Sequence, residues 1–271
     1  MTILIRSWNV YHGRSDPPDW TLSVETAVRL AVSDGPTVLC LQELPVWSLR
    51  HLEPWTGMPA VTTVTVRASI GPLPITADLG RRLVDVHPLQ LRSAFCGQGN
   101  AVLVSRQARV LETRSIVLNT GDFRRVQAQR LGLDLVARLA WAKERRICQA
   151  VRLVLPDGRR ALVTNLHASS MAWDERLADA EVMRAASFAD SLACPGEIVV
   201  LAGDFNVSPD RSPAIQALTN ADSGFSPPGP GIDHVLVRGA EASEHHAWPS
   251  HRRRVDGRLL SDHTPVEVTL T

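Results

Sequence analysis

Carboxylate, amide and imidazole side chains stand at the ends of several apolar segments of this chain. Asn9 ends the first segment, Glu43 lies at the end of the second, and His167 ends a later one. Five further residues of these types follow: Asp204, Asn206, Asp233, Asp262 and His263. Hard divalent cations prefer oxygen ligands, and histidine is the natural proton carrier near neutral pH. If these side chains converge on one rim of a sheet, they suit metal-assisted chemistry with proton transfer.

Taken singly, each of these residues has an ordinary structural explanation. Asn9 can close a turn, Glu43 can be a solvated charge, and His167 can be a core histidine with satisfied hydrogen bonds. Asp204 can form an Asx-turn, and Asp262 can cap local structure. The conjunction of Asn, Glu, His, Asp-x-Asn, Asp and Asp-His in this order is what favours a functional site.

That order resembles the exonuclease–endonuclease–phosphatase superfamily, which includes deoxyribonuclease-I-like nucleases, neutral sphingomyelinases and inositol polyphosphate phosphatases. The segments that carry the resemblance are SWNVYHG (7–13), LCLQEL (39–44), GNAVLVSR (99–106), TNLHASS (164–170), LAGDFNVSPD (201–210), GIDHVLV (231–237) and SDHTPVEV (261–268). GDFN and SDHTP are the most specific motifs. The resemblance implies one α+β domain over residues 1–271, a deoxyribonuclease-I-like four-layer α/β/β/α sandwich of two facing mixed sheets.

The resemblance also implies roles for five catalytic residues. His263 is expected to be the general base that activates a water molecule, and Asp233 to orient its imidazole. His167 is expected to hydrogen-bond the phosphate. Asp204 would position or activate the nucleophile or the leaving group, and Asn206 would donate to a phosphate oxygen.

A divalent cation is expected because phosphodiester hydrolysis brings water onto an anionic phosphorus. Asn9, Glu43 and Asp262 are the predicted metal ligands. Mg²⁺ or Mn²⁺ suits these residue types better than zinc, because the chain has no Cys/His cluster. Asn100 is a weaker candidate for the rim of the substrate pocket.

The apolar, β-branched segments that would position these residues are bounded by turn signals and read as strands. They cover residues 3–10, 37–44, 100–105, 147–155, 161–167, 197–206, 231–239 and 265–270. Asp157-Gly158 predicts an antiparallel hairpin between the fourth and fifth. The strands outnumber the helices, and two facing sheets with helices outside would bury this much apolar strand.

Helices are predicted between the strands, at residues 23–33, 172–193 and 212–219. In the second of these, Trp173, Leu177, Ala180 and Met183 form the expected apolar stripe, and Glu181 lies off it. Residues 51–95 and 119–146 give no clear pattern, apart from a strand-like run at 61–66 and a possible helix near 77–86.

Composition narrows the function further. The formal net charge is +1, from 29 basic and 28 acidic side chains, so a globally basic nucleic-acid binder is not indicated. No signal peptide and no transmembrane run are seen, and the four cysteines lie far apart. We expect a cytoplasmic monomer with reduced thiols and no membrane anchor.

The expected activity is that of a nuclease, because His251-Arg252-Arg253-Arg254 precedes the last motif and can bind a phosphate backbone. In this interpretation Trp248 stacks on a base. The basic loop can equally be a solvated surface. Arg124, Arg125 and Arg130 form a second cluster with the same ambiguity.

Two alternatives stay open at this point. The first is a phosphatase or a phospholipase-type phosphodiesterase acting on an inositol phosphate, a sphingomyelin-like lipid or another small phosphorylated substrate. The second is a binding module without catalysis, which the intact Glu43, His167, Asp204 and His263 disfavour.

Overall fold

A computed structural model of the chain describes residues 2–17, 24–71, 73–86, 95–171 and 174–271. The α-helices of the described residues are α1 (Val24–Ala31), α2 (Leu52–Thr56), α3 (Ala77–Val86), α4 (Gly121–Arg130), α5 (Leu135–Ala142), α6 (Arg176–Leu192) and α7 (Pro213–Leu218). Short 3-10 helices cover Tyr11–Gly13, Val46–His51 and Ser250–Arg253.

The strands are β1 (Ile3–Asn9), β2 (Ser15–Asp16), β3 (Val38–Leu44), β4 (Ala60–Val66), β5 (Ser69–Ile70), β6 (Leu73–Pro74), β7 (Gln98–Val104), β8 (Arg109–Val117), β9 (Ile147–Val154), β10 (Arg160–His167), β11 (Ile198–Asp204), β12 (Asp233–Arg238), β13 (His246–Ala247), β14 (Arg254–Val255), β15 (Arg258–Leu260) and β16 (Val266–Leu270). One large sheet has the order β13-β16-β1-β3-β7-β4, and the other has the order β12-β11-β10-β9-β8.

The two large sheets face each other across a core of β-branched side chains. Ile5 and Val102 from the first sheet pack there with Val163 and Val200 from the second. Helices α1 and α2 cover the outer face of the first sheet, and α6 and α7 cover that of the second. The predicted four-layer sandwich is therefore confirmed.

Strand pairing brings the predicted site residues together. β1 and β3 are parallel, with Asn9 opposite Gln42, and β10 and β11 are parallel, with His167 opposite Asp204. β12 runs antiparallel to β11 and starts at Asp233, which lies opposite Asp204. Because parallel strands end at the same edge of a sheet, both sheets present polar residues at one end of the sandwich.

The hairpin and helix predictions are largely confirmed. β9 and β10 pair antiparallel across the turn that contains Gly158, whose φ of +88° favours glycine. α7 begins after Ser212, whose side chain accepts the Ile215 N–H as the helix cap. In α6, Leu177 of the predicted apolar stripe is buried, but the prediction is wrong at two positions, because Met183 is 39% exposed and Glu181 is fully buried. Trp173 of that stripe lies outside the described residues.

Glu181 is buried because three donors satisfy its carboxylate. Trp141 Nε1 donates to Oε1 at 2.6 Å, and the hydroxyl and backbone N–H of Ser169 donate at 2.9 and 2.6 Å. A buried carboxylate without such partners would cost several kcal/mol, roughly 2–7 by analogy with neutral polar groups and more when ionised. Glu181 therefore ties α6 to α5 and to the segment after His167.

Trp248 is buried and belongs to an ionic cluster under β1. It is 2% exposed, and its ring lies between the guanidinium groups of Arg6 and Arg252, at 4.5 and 3.6 Å from the ring centroid. Its indole N–H donates to Glu267 at 3.0 Å. The prediction that Trp248 stacks on a base is therefore wrong, because both of its faces are already covered.

The buried rings of His234 and Phe205 and the half-buried ring of His245 form an aromatic cluster beside β12. The His234 ring lies 5.2 Å from that of Phe205 and 6.1 Å from that of His245. Nε2 of His245 accepts the Val235 N–H at 2.8 Å, so this nitrogen carries no proton. Burial lowers the pKa of each of these histidines to about 4.

Acid is therefore expected to destabilise the fold through this pair. An unfolded histidine binds its proton near pH 6.5, whereas His245 binds it near pH 4 in the folded protein. The unfolded state holds more protons between these values, so the free energy of unfolding falls as the pH drops from 6.5 to 4, by at most about 1.4 kcal/mol per pH unit for each histidine. Urea titrations across this range measure the slope. His245→Gln, which keeps an acceptor, is expected to flatten it, and the same change at the exposed His246 serves as the control. Equal slopes for the two variants would contradict this account.

Among the described residues, no helix combines the length and the apolar character needed to cross a bilayer.

Candidate active site

Asn9 joins the two sheets at the site. Its Nδ2 donates to Glu43 Oε1 at 3.2 Å and to Asp204 Oδ2 at 3.0 Å. Its Oδ1 accepts the Tyr11 backbone N–H at 3.0 Å. Because Glu43 belongs to one sheet and Asp204 to the other, a single amide holds two acidic groups of facing sheets together.

His263 and Asp233 form a hydrogen-bonded pair beside this amide. Nδ1 of His263 lies 2.8 Å from Asp233 Oδ2, which assigns a proton to Nδ1. The other ring nitrogen, Nε2, points towards Asp204, at 3.7 Å from Oδ2. The imidazole therefore has one nitrogen held by a carboxylate and the other directed into the site.

The loop that carries His263 is fixed to β1. The Ser261 hydroxyl donates to the Asn9 carbonyl at 2.7 Å and accepts the His263 N–H at 3.0 Å. Trp8 Nε1 donates to the His263 carbonyl at 3.1 Å. Two neighbouring residues of β1 thus position the imidazole through its backbone.

Arg253 fixes the same loop from the other side. Its Nη1 donates to the carbonyl oxygens of Leu260, Ser261 and His263 at 3.2, 2.8 and 3.0 Å, and the residue is buried. The prediction that Arg253 binds substrate is therefore wrong, because its guanidinium is used to hold the loop.

Arg252 and Arg254, on either side of Arg253, differ from each other in their contacts and exposure. Arg252 pairs with Asp34 at 2.5 Å and lies over the Trp248 ring, and its side chain is 30% exposed. A substrate role for Arg252 stays a prediction. Arg254 is exposed and donates to the Gly257 carbonyl at 3.0 Å. A substrate role for Arg254 stays a prediction.

His167 lies between the acidic groups and Arg146. Its Nε2 is 3.5 Å from Asp204 Oδ2 and 3.7 Å from Glu43 Oε1. Nη1 of Arg146 lies 3.1 and 3.2 Å from the two ring nitrogens. An atom in the ring plane at equal distance from both nitrogens would collide with Cε1, so the guanidinium lies over the ring face.

Sequence reasoning missed Arg146, which is one of several arginines in a segment without a clear pattern. It is buried, and its Nη2 pairs with Glu144 at 2.8 Å. Its position directly before β9 was the available signal, since β9 pairs with the strand that ends at His167.

Positive φ angles cluster at the site. Of the six non-glycine residues with φ near +50 to +60°, five are in or beside it: Tyr11 (+47°), His12 (+54°), Glu43 (+54°), Asn206 (+52°) and Ser261 (+58°). Such conformations cost about 1–3 kcal/mol each and persist where surrounding contacts enforce them. Glu43 lies where the pairing of β3 with β7 shifts register. This bulge turns its carboxylate into the site, where His12 Nε2 lies 3.3 Å from Oε2.

The glycine of the GDFN motif is required by close packing. Gly203 has a φ of +142°, and a Cβ there would lie 1.9 Å from the Leu166 carbonyl oxygen. Only glycine lets β11 approach β10 this closely. The next residue, Asp204, is thereby placed against His167.

Burial of the acidic groups sets the electrostatics of the site. Burial, followed by the charge of Asp233, raises the pKa of Asp204 to about 7. The pKa of Glu43 is raised as well, again mainly by burial. Burial and then the charge of Arg146 lower the pKa of His167 well below its usual range, so its imidazole is neutral.

His263 responds in the opposite direction. Burial works to lower its pKa, but the hydrogen bond that His263 donates to Asp233 and the charges of Asp233, Asp204 and Asp262 outweigh burial and raise the pKa to about 10. In the absence of another cation, the proton on His263 balances the carboxylates. To act as a base, His263 must first lose this proton. The carboxylates of the site then carry more negative charge than the remaining side chains neutralise.

This donor set fits a hard divalent cation. Ligand atoms of Asp204, Asp233 and His263 lie within 4.8 Å of one another. In the described part of the chain, Oδ1 of Asp233 is buried and accepts no hydrogen bond, and such an acceptor costs about 1–3 kcal/mol. A cation among buried carboxylate oxygens would offset this cost.

Three predicted residues stand apart from this cluster. Asp262 is exposed and does not belong to it. Asn206 uses its Nδ2 to donate to the Ala168 carbonyl at 3.0 Å. Asn100 is fully buried in β7, where its amide atoms have no hydrogen-bond partner among the described residues. Their roles as metal ligand, phosphate donor and pocket residue stay predictions.

Gln42 supports the site from below and was not singled out by sequence reasoning. Its Nε2 donates to Asn165 Oδ1 at 2.8 Å and to Ser7 Oγ at 3.1 Å. Asn165 in turn donates to the carbonyl oxygens of Leu41 and Ala101 at 3.0 and 2.9 Å. These bonds link the two sheets directly beneath Asn9 and His167. The sequence signal for Gln42 and Asn165 is that each is a polar residue within an otherwise apolar strand.

A side pocket of about 330 Å³ opens next to His167. The side pocket is the cavity between His167, α5 and the segment after β10. Its walls include Glu43, Trp141, Lys143, Arg146, His167 and Ser169. Because Glu43 and His167 belong both to the pocket and to the site, a group bound at the site can extend into it.

Comparisons with known proteins agree with this fold. The Enterococcus faecalis V583 structure of a functionally unknown conserved protein has a TM-score of 0.66 and 17% identity, covering 99% of both chains. The catalytic domain of human Nocturnin, solved with a sulfate anion, has a TM-score of 0.64 and 13% identity, covering 100% of this chain and 93% of that one. Truncated Caenorhabditis elegans TDP2 has a TM-score of 0.61 and 17% identity, covering 100% of this chain and 97% of that one.

At these identities the structural likeness concerns the fold. No curated protein matches the chain in sequence. The sequence model of the endonuclease/exonuclease/phosphatase family matches residues 7–263, which include every residue of the cluster described above. The chain therefore belongs to the endonuclease/exonuclease/phosphatase family.

Proposed function

We propose that this protein is a divalent-metal-dependent phosphodiester hydrolase. The observation that carries the proposal is the convergence of an Asp–His pair, His263 with Asp233, on the Asp204 carboxylate that Asn9 links to Glu43. Structural strands do not require this arrangement, whereas the attack of water on a phosphorus atom does.

Glu43 and Asp204 are the residues that would hold the cation. Asn9, also a predicted ligand, presents its Nδ2 to both carboxylates while its Oδ1 accepts the Tyr11 N–H, so in this arrangement it would hold the two ligands in place. When bound, Mg²⁺ or Mn²⁺ supplies positive charge that offsets the carboxylates, lowers the pKa of His263 and polarises the phosphoryl group. Asp204 is buried and Glu43 is half-buried, so their oxygens meet limited competition from solvent.

His263 acts as the general base. Its Nε2 removes a proton from the attacking water while Nδ1–H stays hydrogen-bonded to Asp233, which stabilises the imidazolium that forms. Asp204 accepts a hydrogen bond from the same water, because Oδ2 lies 3.7 Å from Nε2. The loop contacts of Ser261 and Arg253 keep the imidazole in this orientation.

His167 binds a non-bridging oxygen or the leaving oxygen as a neutral donor. Its low pKa keeps the imidazole uncharged, so it contributes a hydrogen bond and no net charge. Arg146, stacked on its face, contributes the positive charge that the imidazole lacks.

The substrate class is proposed only as a phosphodiester. The nuclease prediction depended on the loop of Arg252, Arg253 and Arg254 and on Trp248, and most of these side chains have structural contacts instead. Plasmid DNA, single-stranded RNA, sphingomyelin, inositol phosphates and a chromogenic phosphodiester together distinguish a nuclease from the phosphatase and phospholipase-type alternatives.

Removing the metal is expected to abolish turnover of whichever substrate is accepted. Excess EDTA should lower the rate to background, and Mg²⁺ or Mn²⁺ added beyond the chelator should restore it. Glu43→Gln keeps the size of the side chain and removes its charge, so it should raise the metal concentration required for half-maximal activity. Thermal melting gives an independent readout, because a ligand that binds only the folded state raises the melting temperature.

The surface carboxylate Glu53, which pairs with Arg106 at 3.0 Å, provides the matched control as Glu53→Gln. The metal requirement of this variant should equal that of the wild type. Unchanged turnover in EDTA would contradict the proposed function.

A further inference from the structure

Helix α5 is apolar on two opposite faces. Ala137 and Trp141 on the inner face are 8% and 1% exposed and pack against α6 and the segment before it. On the outer face, Leu135, Val136 and Leu139 are 70%, 71% and 63% exposed. A surface helix of a globular protein normally turns polar residues outward, so this outer face is unusual.

Basic residues surround the exposed aliphatic side chains. Residues 119–146 contain seven basic and three acidic side chains, a net charge of +4 in a chain whose total is +1. Of the seven, those exposed are Arg125, Arg130, Arg138, Lys143 and Arg145. Asp122 and Asp134 are also exposed in this segment, so its charge is predominantly but not wholly positive. An exposed apolar patch in a segment of net positive charge indicates a partner that is apolar inside and anionic at its surface.

The C-terminal end of α5 borders the side pocket next to the proposed active site. Ala140 and Trp141 of the same helix, and Lys143 directly after it, line the side pocket with Glu43 and His167. A partner seated on α5 therefore lies next to the wall of that pocket.

We propose that the outer face of α5 is a docking surface for a phospholipid bilayer that contains anionic lipids. Leu135, Val136 and Leu139 enter the boundary between headgroups and acyl chains, and the surrounding cations contact lipid phosphates and carboxylates. The eight residues of α5 extend about 12 Å, enough to lie in the interface but not to cross the membrane.

The exposed side chains favour a bilayer over nucleic acid. Binding to single strands uses aromatic side chains for base stacking, and the nearest aromatics, Phe123 and Trp141, pack against each other at 6.1 Å between ring centroids. Aliphatic side chains have no favourable contact with a phosphate backbone.

Vesicle sedimentation tests the proposal without catalysis, because it is performed with EDTA present. The full chain is expected to sediment with vesicles of phosphatidylserine and phosphatidylcholine, much less with phosphatidylcholine alone, and less as salt is added. The triple variant Leu135→Ser/Val136→Ser/Leu139→Ser should lose about tenfold or more in partitioning. Arg130→Gln/Arg138→Gln should weaken binding to the anionic vesicles only.

Leu73→Ser is the matched control, because Leu73 is 68% exposed on β6, outside this surface, and its loss should leave partitioning unchanged. The single variant Val136→Ser, expected to show a smaller loss, replaces the triple variant if thermal melting shows that the latter is unfolded. Sedimentation of the wild type with neither vesicle overturns the proposal, as does equal partitioning of Leu73→Ser and the triple variant.

Nucleic acid is the alternative outcome of the test. In this outcome the protein does not bind vesicles but binds single-stranded DNA, and the binding depends on the arginines and not on the three aliphatic residues. The surface is then a nucleic-acid site, and the proposal fails. Failure here leaves the proposed hydrolase intact, because turnover of a soluble chromogenic phosphodiester does not require α5 to contact a membrane.

Discussion

His263→Ala is expected to lower kcat on the accepted phosphodiester by about a thousandfold, within the roughly 10²–10⁴-fold range of general-base catalysis. The substitution removes Nε2, which faces Asp204 at 3.7 Å and is the proposed proton acceptor. KM should change little, because the imidazole contributes mainly to the transition state. Steady-state kinetics at saturating Mg²⁺ measures both parameters.

Asp233→Asn separates orientation from proton transfer. The amide keeps the size of the side chain but no longer favours the imidazolium, so kcat should fall by a smaller factor, about a hundredfold. Added imidazole should partly restore His263→Ala and leave Asp233→Asn unaffected, because only the first variant has space for the missing ring.

His246→Ala is the control for these variants, since His246 is exposed on the edge strand β13. Its kinetics should match those of the wild type. If His263→Ala retains wild-type kcat while its melting temperature is unchanged, the proposed mechanism is wrong.

The strand ends explain why much of the site could be predicted from sequence. Asn9 and Asp204 end strands that are predominantly apolar, and parallel pairing brings such ends to the same edge. The pattern of residue types therefore indicated both the fold and the position of the site. Local sequence carries this information because alternation and turn signals extend over only a few residues.

The arginines show where this information ends. Four arginines with the same side-chain chemistry have different positions in the fold. Arg146 covers His167, and Arg252 covers Trp248. Arg253 fixes the loop that carries His263, and Arg254 is exposed. These roles depend on partners far away along the chain, and no local pattern specifies them.

The same limit explains the error at Glu181 and the identity of the groups that surround His263. Glu181 is charged and was placed outward, but Trp141 and Ser169 provide donors that only the folded chain brings together. Asp262 adjoins His263 in sequence, whereas the structure gathers Asp233 and Asp204 around that histidine. Adjacency in sequence was a poorer guide than strand register.

Arg6→Ala is expected to lower the free energy of unfolding by about 3–5 kcal/mol, the usual cost of removing one partner from a buried ionic cluster. Arg6 is fully buried and donates from Nε to Glu267 at 2.6 Å and from both Nη atoms to Asp34 at 2.7 Å. It lies opposite Glu267 in the pairing of β1 with β16. Urea unfolding at neutral pH measures the loss.

Arg29→Ala controls for the loss of an arginine as such. Arg29 pairs with Glu25 on the surface of α1, and its side chain is 54% exposed. The substitution should therefore lower the free energy of unfolding by only about 0.5 kcal/mol. Equal losses for the two variants would show that the Arg6 cluster contributes no more than a surface pair.

The pH dependence tests the same cluster independently. The hydrogen bonds from Arg6, opposed in part by burial and supported by Arg252, lower the pKa of Asp34 to about 2, whereas an unfolded aspartate titrates near pH 3.9. The stabilisation from Asp34 is therefore complete above about pH 4 and is lost as the pH falls towards 2. The difference in stability between wild type and Arg6→Ala should shrink over this interval. Because Asn9 follows Arg6 by only three residues in β1, the cluster that stabilises this strand also holds the first residue of the active site in place.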